Sequence, residues 1–311
     1  MADRKKPMNP FGPLLEAKGH VVLDGGLATA LEARGLDLDS RLWASRLLLE
    51  RPEEIRGVHT AYLEAGADCI TTACYQATVQ GFRAAGLGES DAHRALLRSS
   101  DLALEARARA GASDALVAAS IGPYGAFLAD GSEYDGRYGV EGGVLDTFHR
   151  DRFSLLAGSG VDLMACETIP SALEAEVLLQ ILDDHPGVWA WLSFTCPDGD
   201  SISDGSAFID VVSACAAHDR VAAVGVNCSS LKHVVSLISL ARTVTDLPLI
   251  AYPNSGEQYH AEDGTWSGAA EAERGWVQGM RAVRAAGAMI TGGCCRIGPD
   301  IIRELRDDIE R

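Results

Sequence analysis

Apolar runs of strand length recur from one end of the chain to the other: His20–Asp24 (HVVLD), Asp68–Thr72 (DCITT), Leu116–Ile121 (LVAASI), Val161–Cys166 (VDLMAC), Val188–Phe194 (VWAWLSF), Val221–Val226 (VAAVGV), Leu247–Tyr252 (LPLIAY) and Ala288–Thr291 (AMIT). Each is largely apolar on both faces, the pattern of parallel strands covered by helices. The segments between them, such as Pro52–Ala65 and Ser171–Leu182, are long enough for crossover helices. Eight strand–helix units in 311 residues match a single α/β domain, a (β/α)8 barrel of the TIM type, for which about 250 residues is usual. An open, doubly wound sheet alternates in the same way and is the rival arrangement. No linker or shift of composition divides the chain, so the barrel is expected over residues 19–311. Residues 1–18, interrupted by Pro7, Pro10 and Pro13, read as a flexible arm.

A barrel places its reactive side chains just beyond the C-terminal ends of the strands. The residues there carry chemistry: Asp24-Gly25-Gly26, Cys74-Tyr75-Gln76, Gly122-Pro123-Tyr124, Cys166-Glu167-Thr168, Asn227-Cys228, Asn254-Ser255-Gly256-Glu257 and Gly292-Gly293-Cys294-Cys295. The longest irregular stretches, Gly122–Gly143, Cys196–Ser206 and Asn254–Ser267, also follow predicted strands. Cys228 with Cys294 and Cys295 lie two strands apart, roughly 9–10 Å at normal inter-strand spacing, a gap that loops can close around one ion. Three thiolates leave the fourth position of a zinc ion open, as in catalytic rather than structural sites. Gly292-Gly293 offers a backbone turn sharp enough to present two successive thiols. Core packing and a vicinal-thiol redox couple are the other readings of these cysteines, and Cys69 and Cys215 read as core residues. Asp24 and Glu167 read either as a helix cap and a solvated rim group or as a pair of carboxylates holding an ammonium. His59, His93, His149, His185, His218 and His233 fall on predicted helices or their ends, form no HExxH pair, and read as solvated.

Charge narrows the partners. Forty-four acidic against 27 basic residues leave −17 at pH 7, which argues against binding a phosphate backbone. No apolar run reaches the ~18 residues of a membrane span, and no apolar segment of a secretory signal follows Arg4, Lys5 and Lys6. Eight cysteines without an export signal point to reduced thiols in the cytoplasm.

The segments Leu23–Gly35 (LDGGLATALEARG), Thr71–Thr78 (TTACYQAT), Gly122–Tyr134 (GPYGAFLADGSEY), Ala165–Pro170 (ACETIP), Gly225–Cys228 (GVNC), Tyr252–Tyr259 (YPNSGEQY) and Gly292–Arg296 (GGCCR) resemble the zinc-dependent homocysteine S-methyltransferases, above all the bacterial branch that uses S-methylmethionine. The resemblance runs from about residue 18 to 305 and implies a (β/α)8 barrel. It implies one Zn2+ per chain on Cys228, Cys294 and Cys295, which act in catalysis by activating the substrate thiol. It implies that Asp24 and Glu167 hold the homocysteine amino group, with the Gly25-Gly26-Leu27 backbone at its carboxylate. Tyr75 matches an aromatic beside the methyl donor in betaine-using relatives, and Asn227 is expected to position the Cys228 loop or a substrate. Cys74 departs from the family pattern, which has an aromatic there in the betaine branch and a small polar residue in the S-methylmethionine branch. The activity implied is methyl transfer from a sulfonium, S-methylmethionine or S-adenosylmethionine, to L-homocysteine, giving methionine. Betaine- or selenocysteine-type transfer, or a non-catalytic zinc or thiol redox barrel, are the alternatives.

Overall fold

The computed structural model describes residues 8–36, 38, 43–256, 258–260, 265–267 and 275–311. Its strands are β1 (Val21–Val22), β2 (Cys69–Thr71), β3 (Leu116–Ile121), β4 (Leu163–Ile169), β5 (Ala190–Phe194), β6 (Val221–Asn227), β7 (Leu249–Tyr252), β8 (Gln258–His260), β9 (Thr265–Ser267) and β10 (Ala288–Thr291). Eight of them form one parallel sheet in the order β1-β10-β7-β6-β5-β4-β3-β2. Its two ends meet: Leu23 bridges Cys69 in parallel, the Asp68 N–H donates to Val22 O at 2.7 Å, and the Asp24 N–H donates to Cys69 O at 3.0 Å. That closure makes the sheet a (β/α)8 barrel and rules out the open sheet. Helices lie between the strands, among them Pro52–Glu64 and Ala172–Asp183 where the sequence predicts crossovers.

The strands depart from the sequence reading at two places. The stretch after β7, expected to be irregular, contains an antiparallel ribbon of β8 and β9; Glu257 and residues 261–264 and 268–274 lie outside the described residues. Strand β4 continues past Cys166 to Ile169, with a register shift against β5 between those two residues. Polar Glu167 and Thr168 end the apolar run early, but an irregular ladder still carries the strand through them.

The core has two layers. One lies between the strands and the helices; the other fills the barrel interior with Leu23, Cys69, Ala118, Ala165, Trp191, Ala223, Ile250 and Ile290. An interior with this much alanine leaves space at its floor. Phe11 fills it, fully buried with its ring 5.9 Å from that of Trp191. The arm expected to be flexible therefore includes a packed helix, Phe11–Lys18. Asn9 fixes its start, accepting from the Phe11 N–H at 3.0 Å and donating to Ala222 O at 2.8 Å. Proline masked the helix in the sequence because Pro10 precedes it and Pro13 falls in its first turn, where no intrahelical N–H bond is lost. Residues 1–7 lie outside the described residues.

Cys69 and Cys215 are core residues, as read. Cys74 is also buried, its thiol donating to Ser120 O at 3.0 Å. The solvated reading fails for His59 and His149, which are buried. Each faces inward with the apolar stripe of its helix, His59 beside Ile55, Val58 and Tyr62, and His149 beside Leu145 and Phe153. Burial lowers the pKa of His59 to about 4, so it packs as a neutral ring.

A candidate metal centre and substrate pocket at the strand ends

Cys228 directly follows β6, and Cys294 and Cys295 follow β10; in the sheet, β7 lies between these two strands. The loop after β7 ties the two cysteine loops together. The Cys228 N–H donates to Tyr252 O at 3.2 Å, the Cys294 N–H to Pro253 O at 3.0 Å, and the Cys295 N–H to Asn254 Oδ1 at 3.2 Å. The three sulfurs lie within 4.8 Å of one another, Cys228 and Cys295 at 3.8 Å. Three converging soft donors beside an open pocket suit a thiophilic ion with one position left for a ligand. The thiols of Cys294 and Cys295 and the Tyr134 hydroxyl, 3.5 Å away, hold the Cys228 thiolate and lower its pKa well below the usual thiol value. Cys294 and Cys295 are raised in turn, chiefly by Cys228.

Gly292 and Gly293 serve this site differently from the expected turn. Neither has a positive φ. A Cβ on Gly292 would lie 2.6 Å from Leu23 Cβ, and one on Gly293 would lie 2.1 Å from Ile297 Cγ2. Gly292 permits the close approach of this loop to Leu23 and Asp24 just past β1, and Gly293 permits the loop to fold back on Ile297. Unusual backbone belongs to Cys228 itself, at φ 47, to Thr168, at φ 59, and to Arg296 directly after Cys295, at φ 67. Asn227 connects the first two: it precedes Cys228, its Oδ1 accepts from the Thr168 N–H at 2.7 Å, and its Nδ2 donates to Thr168 Oγ1 at 2.7 Å. Asn227 is fully buried and does not line the pocket. Its contacts are those of a loop-positioning residue rather than a substrate ligand.

The pocket, of about 170 Å³, is lined by Asp24, Gly25, Gly26, Leu27, Tyr75, Glu167, Cys228, Cys294 and Cys295 among others, so one cavity brings together every expected site residue except Asn227. Both carboxylates are held by neutral donors. Asp24 Oδ2 accepts from the Thr71 N–H at 2.7 Å and from Thr71 Oγ1 at 3.1 Å. Glu167 accepts from Ser120 Oγ and, at 3.1 Å, from the Tyr252 hydroxyl, which itself accepts from Trp191 Nε1 at 3.0 Å. Burial raises Asp24 to about 8 and Glu167 to about 7. These contacts are not those of a helix cap or a solvated rim. The Gly26 N–H is already engaged by Ile297 O at 2.9 Å, so it is not free for a substrate carboxylate as the sequence reading supposes.

Sequence reasoning assigned no role to Thr71, Ser120, Tyr134, Thr168 or Tyr252, all of which line the same pocket. Tyr134 and Tyr252 fall inside the family-like segments, and hydroxyl-bearing residues at strand ends were the available signal. Nothing in the spacing ties Ser120 to Glu167.

A family model described as homocysteine S-methyltransferase matches residues 21–309. Homocysteine S-methyltransferase YbgG of Bacillus subtilis (strain 168) is 45% identical over 306 residues, covering 96% of this chain and 97% of its own. Homocysteine S-methyltransferase of Escherichia coli (strain K12) is 43% identical over 303 residues, covering 96% and 98%. Among solved structures, the metallated form of the homocysteine methyltransferase MmuM from Escherichia coli matches with a TM-score of 0.87 at 41% identity, over 96% of this chain and 100% of that one. The chain belongs to the homocysteine S-methyltransferase family.

Proposed function

We propose that the protein transfers a methyl group from a sulfonium donor, S-methylmethionine in the first instance, to the sulfur of L-homocysteine. The observation that carries this reading is the pairing, in one pocket, of three convergent thiols with two buried carboxylates whose donors are all neutral. A zinc ion held by Cys228, Cys294 and Cys295 would act as a Lewis acid that ionises a thiol at neutral pH. An ordinary thiol with a pKa near 8.5 is only about 3% ionised at pH 7.

The remaining work falls to the chain's own side chains. Asp24 and Glu167 complement the homocysteine ammonium, and that cation draws both carboxyls into their ionised forms. The backbone of Gly25 and Leu27, where the helix Leu27–Glu32 begins, offers N–H groups to the carboxylate end. Anchored there, the amino acid extends its thiol toward the three cysteines. The Tyr134 hydroxyl beside Cys228 moderates the charge of that thiolate. Attack forms a bond from homocysteine sulfur to the methyl carbon. The donor's C–S bond breaks, its electron pair staying on the donor sulfur, which becomes a neutral thioether. Alignment of two such reactants can lower a barrier by up to about 7–11 kcal/mol, against about 2 kcal/mol from ionising the thiol, so positioning outweighs activation. Reduced thiols in the cytoplasm accord with eight free cysteines.

Product counting tests the reading. With S-methylmethionine, each homocysteine consumed should yield two methionines, one from each substrate; with S-adenosylmethionine, one methionine and one S-adenosylhomocysteine. Metal-loaded protein that turns over neither donor, nor betaine, would leave a metal-binding barrel without this activity.

A further inference from the structure

Glu174, His149 and Arg152 sit wholly inside the protein without touching the pocket, each no more than 1% exposed. Glu174 lies in the first turn of the helix Ala172–Asp183, and His149 and Arg152 are one turn apart on the helix Gly142–Ala157. Arg152 Nη2 donates to His149 Nδ1 at 3.1 Å, and His149 Nε2 lies 2.8 Å from Glu174 Oε1. A guanidinium has only donors, so Nδ1 must carry the lone pair and Nε2 the proton that Glu174 accepts. The imidazole is therefore neutral, in keeping with the lowering of its pKa by burial. The result is a continuous cation–imidazole–carboxylate relay with no net charge.

Both ends of the relay grip backbone at the strand ends. Arg152 Nη2 donates to Gly122 O at 2.6 Å, and Nη1 donates to Tyr75 O at 3.4 Å. Glu174 accepts from the Tyr124 N–H at 2.6 Å and from the Tyr138 hydroxyl at 2.9 Å. The loops after β2 and β3 are thus fastened to each other through two helices behind them. Tyr75 is fixed a second way. A Cβ on Gly122 would lie 2.5 Å from Tyr75 O and 2.7 Å from its ring, so the tyrosine packs where only glycine leaves room.

Tyr75 and Gln76 line the catalytic pocket, along with Tyr134. With the cysteines taking the homocysteine sulfur and Asp24 and Glu167 its ammonium, this wall is among the lining left to the methyl donor. We propose that the Arg152–His149–Glu174 relay is a positioning device for the donor side of the pocket: it sets Tyr75 and the 122–124 turn without touching substrate. The assignment to the donor rests on the methyl-transfer reading; the fastening of the loops does not. A buried charge relay is a poor source of stability, since apolar replacements of such groups are often neutral or stabilising. A geometric role accounts for its presence.

The test compares Arg152→Met with the milder Tyr138→Phe, which removes one hydrogen bond to Glu174 and keeps the ring, so that failure of the first to fold leaves the second. Amide hydrogen exchange is followed in the metal-loaded protein over residues 73–77 and 122–126, with 226–230 and 292–296 as reference. Steady-state kinetics are measured separately for each substrate. Exchange should quicken in the first two segments alone, and the KM for S-methylmethionine should rise about tenfold in Arg152→Met while that for homocysteine stays within about twofold. Tyr138→Phe should show the same pattern at smaller size. Unchanged exchange in 73–77 and 122–126 would overturn the positioning role. So would equal increases in both KM values, which mark a general loosening of the barrel. Should the wild type transfer no methyl group, the methyl-transfer reading fails, and the exchange arm still decides whether the relay fixes these loops.

Discussion

Asp24 shows how the site sets function against stability. Its carboxyl is buried, bonded by the Thr71 backbone and hydroxyl, and raised to about 8. The folded protein therefore keeps a proton that the unfolded chain releases near pH 4. Between those two values the unfolded state binds fewer protons, so this residue's contribution to stability falls as pH rises from about 4 to about 8. A bound ammonium reverses the balance by favouring the ionised form. Asp24→Asn, which retains an acceptor for the Thr71 N–H, should raise the melting temperature of the substrate-free protein at pH 8 by a few degrees, with the gain vanishing near pH 4. The same variant should lose the thermal shift that homocysteine gives the wild type. A variant less stable than the wild type at pH 8, or one that still responds to homocysteine, would contradict the role given to this carboxylate. Asp24 was legible as a candidate because it ends the first apolar run. Its raised pKa was not, because that depends on burial beside Thr71 and Glu167, which come from distant parts of the chain.

At the scale of elements, the metal centre depends on two strand ends with unusual backbone, Thr168 at the end of β4 and Cys228 after β6, joined through the Asn227 amide. A β-branched residue at positive φ costs of order 1–3 kcal/mol and persists only where its surroundings hold it. Asn227→Ala removes both amide bonds at once. It should leave the far-ultraviolet circular dichroism intact yet weaken metal retention about 10- to 100-fold, as loss of groups orienting metal ligands does. Metal affinity equal to the wild type, read by competition with a chromophoric chelator, would show that Cys228 needs no such support. The eight strands were readable because buried parallel strands are apolar on both faces. The bulge in β4 was not, because an irregular ladder leaves no periodic trace. The inward turn of His149 was missed for a related reason: a histidine on an apolar face reads as ordinary until its partners Glu174 and Arg152 appear beside it.

Across the whole molecule, one chain of contacts runs from the barrel floor to the substrate pocket. Phe11 packs on Trp191, Trp191 donates to Tyr252, and Tyr252 donates to Glu167. The N-terminal helix therefore both closes the barrel and supports a pocket carboxylate. Phe11→Ala should cost about 3–5 kcal/mol of stability in urea unfolding, the usual range for a buried aromatic; a loss below about 1 kcal/mol would mean that the floor is not a single packed unit with the barrel. The sequence hid this helix among prolines, and only the space left by the interior alanines shows why an aromatic must enter there. The strand count, by contrast, pointed to a barrel, and the pairing of Leu23 with Cys69 decides it against the open sheet.

The most direct test of the account supplies metal-loaded protein with carbon-13-labelled homocysteine and S-methylmethionine carrying deuterated S-methyl groups, and follows the products by mass spectrometry. Deuteriomethyl should arrive on the carbon-13 skeleton, stop when the metal is removed by chelation, and resume when zinc is restored. Label that never reaches that skeleton, or that reaches it equally well after the metal has been stripped, would contradict the claim that these three cysteines and two carboxylates form one methyl-transfer site.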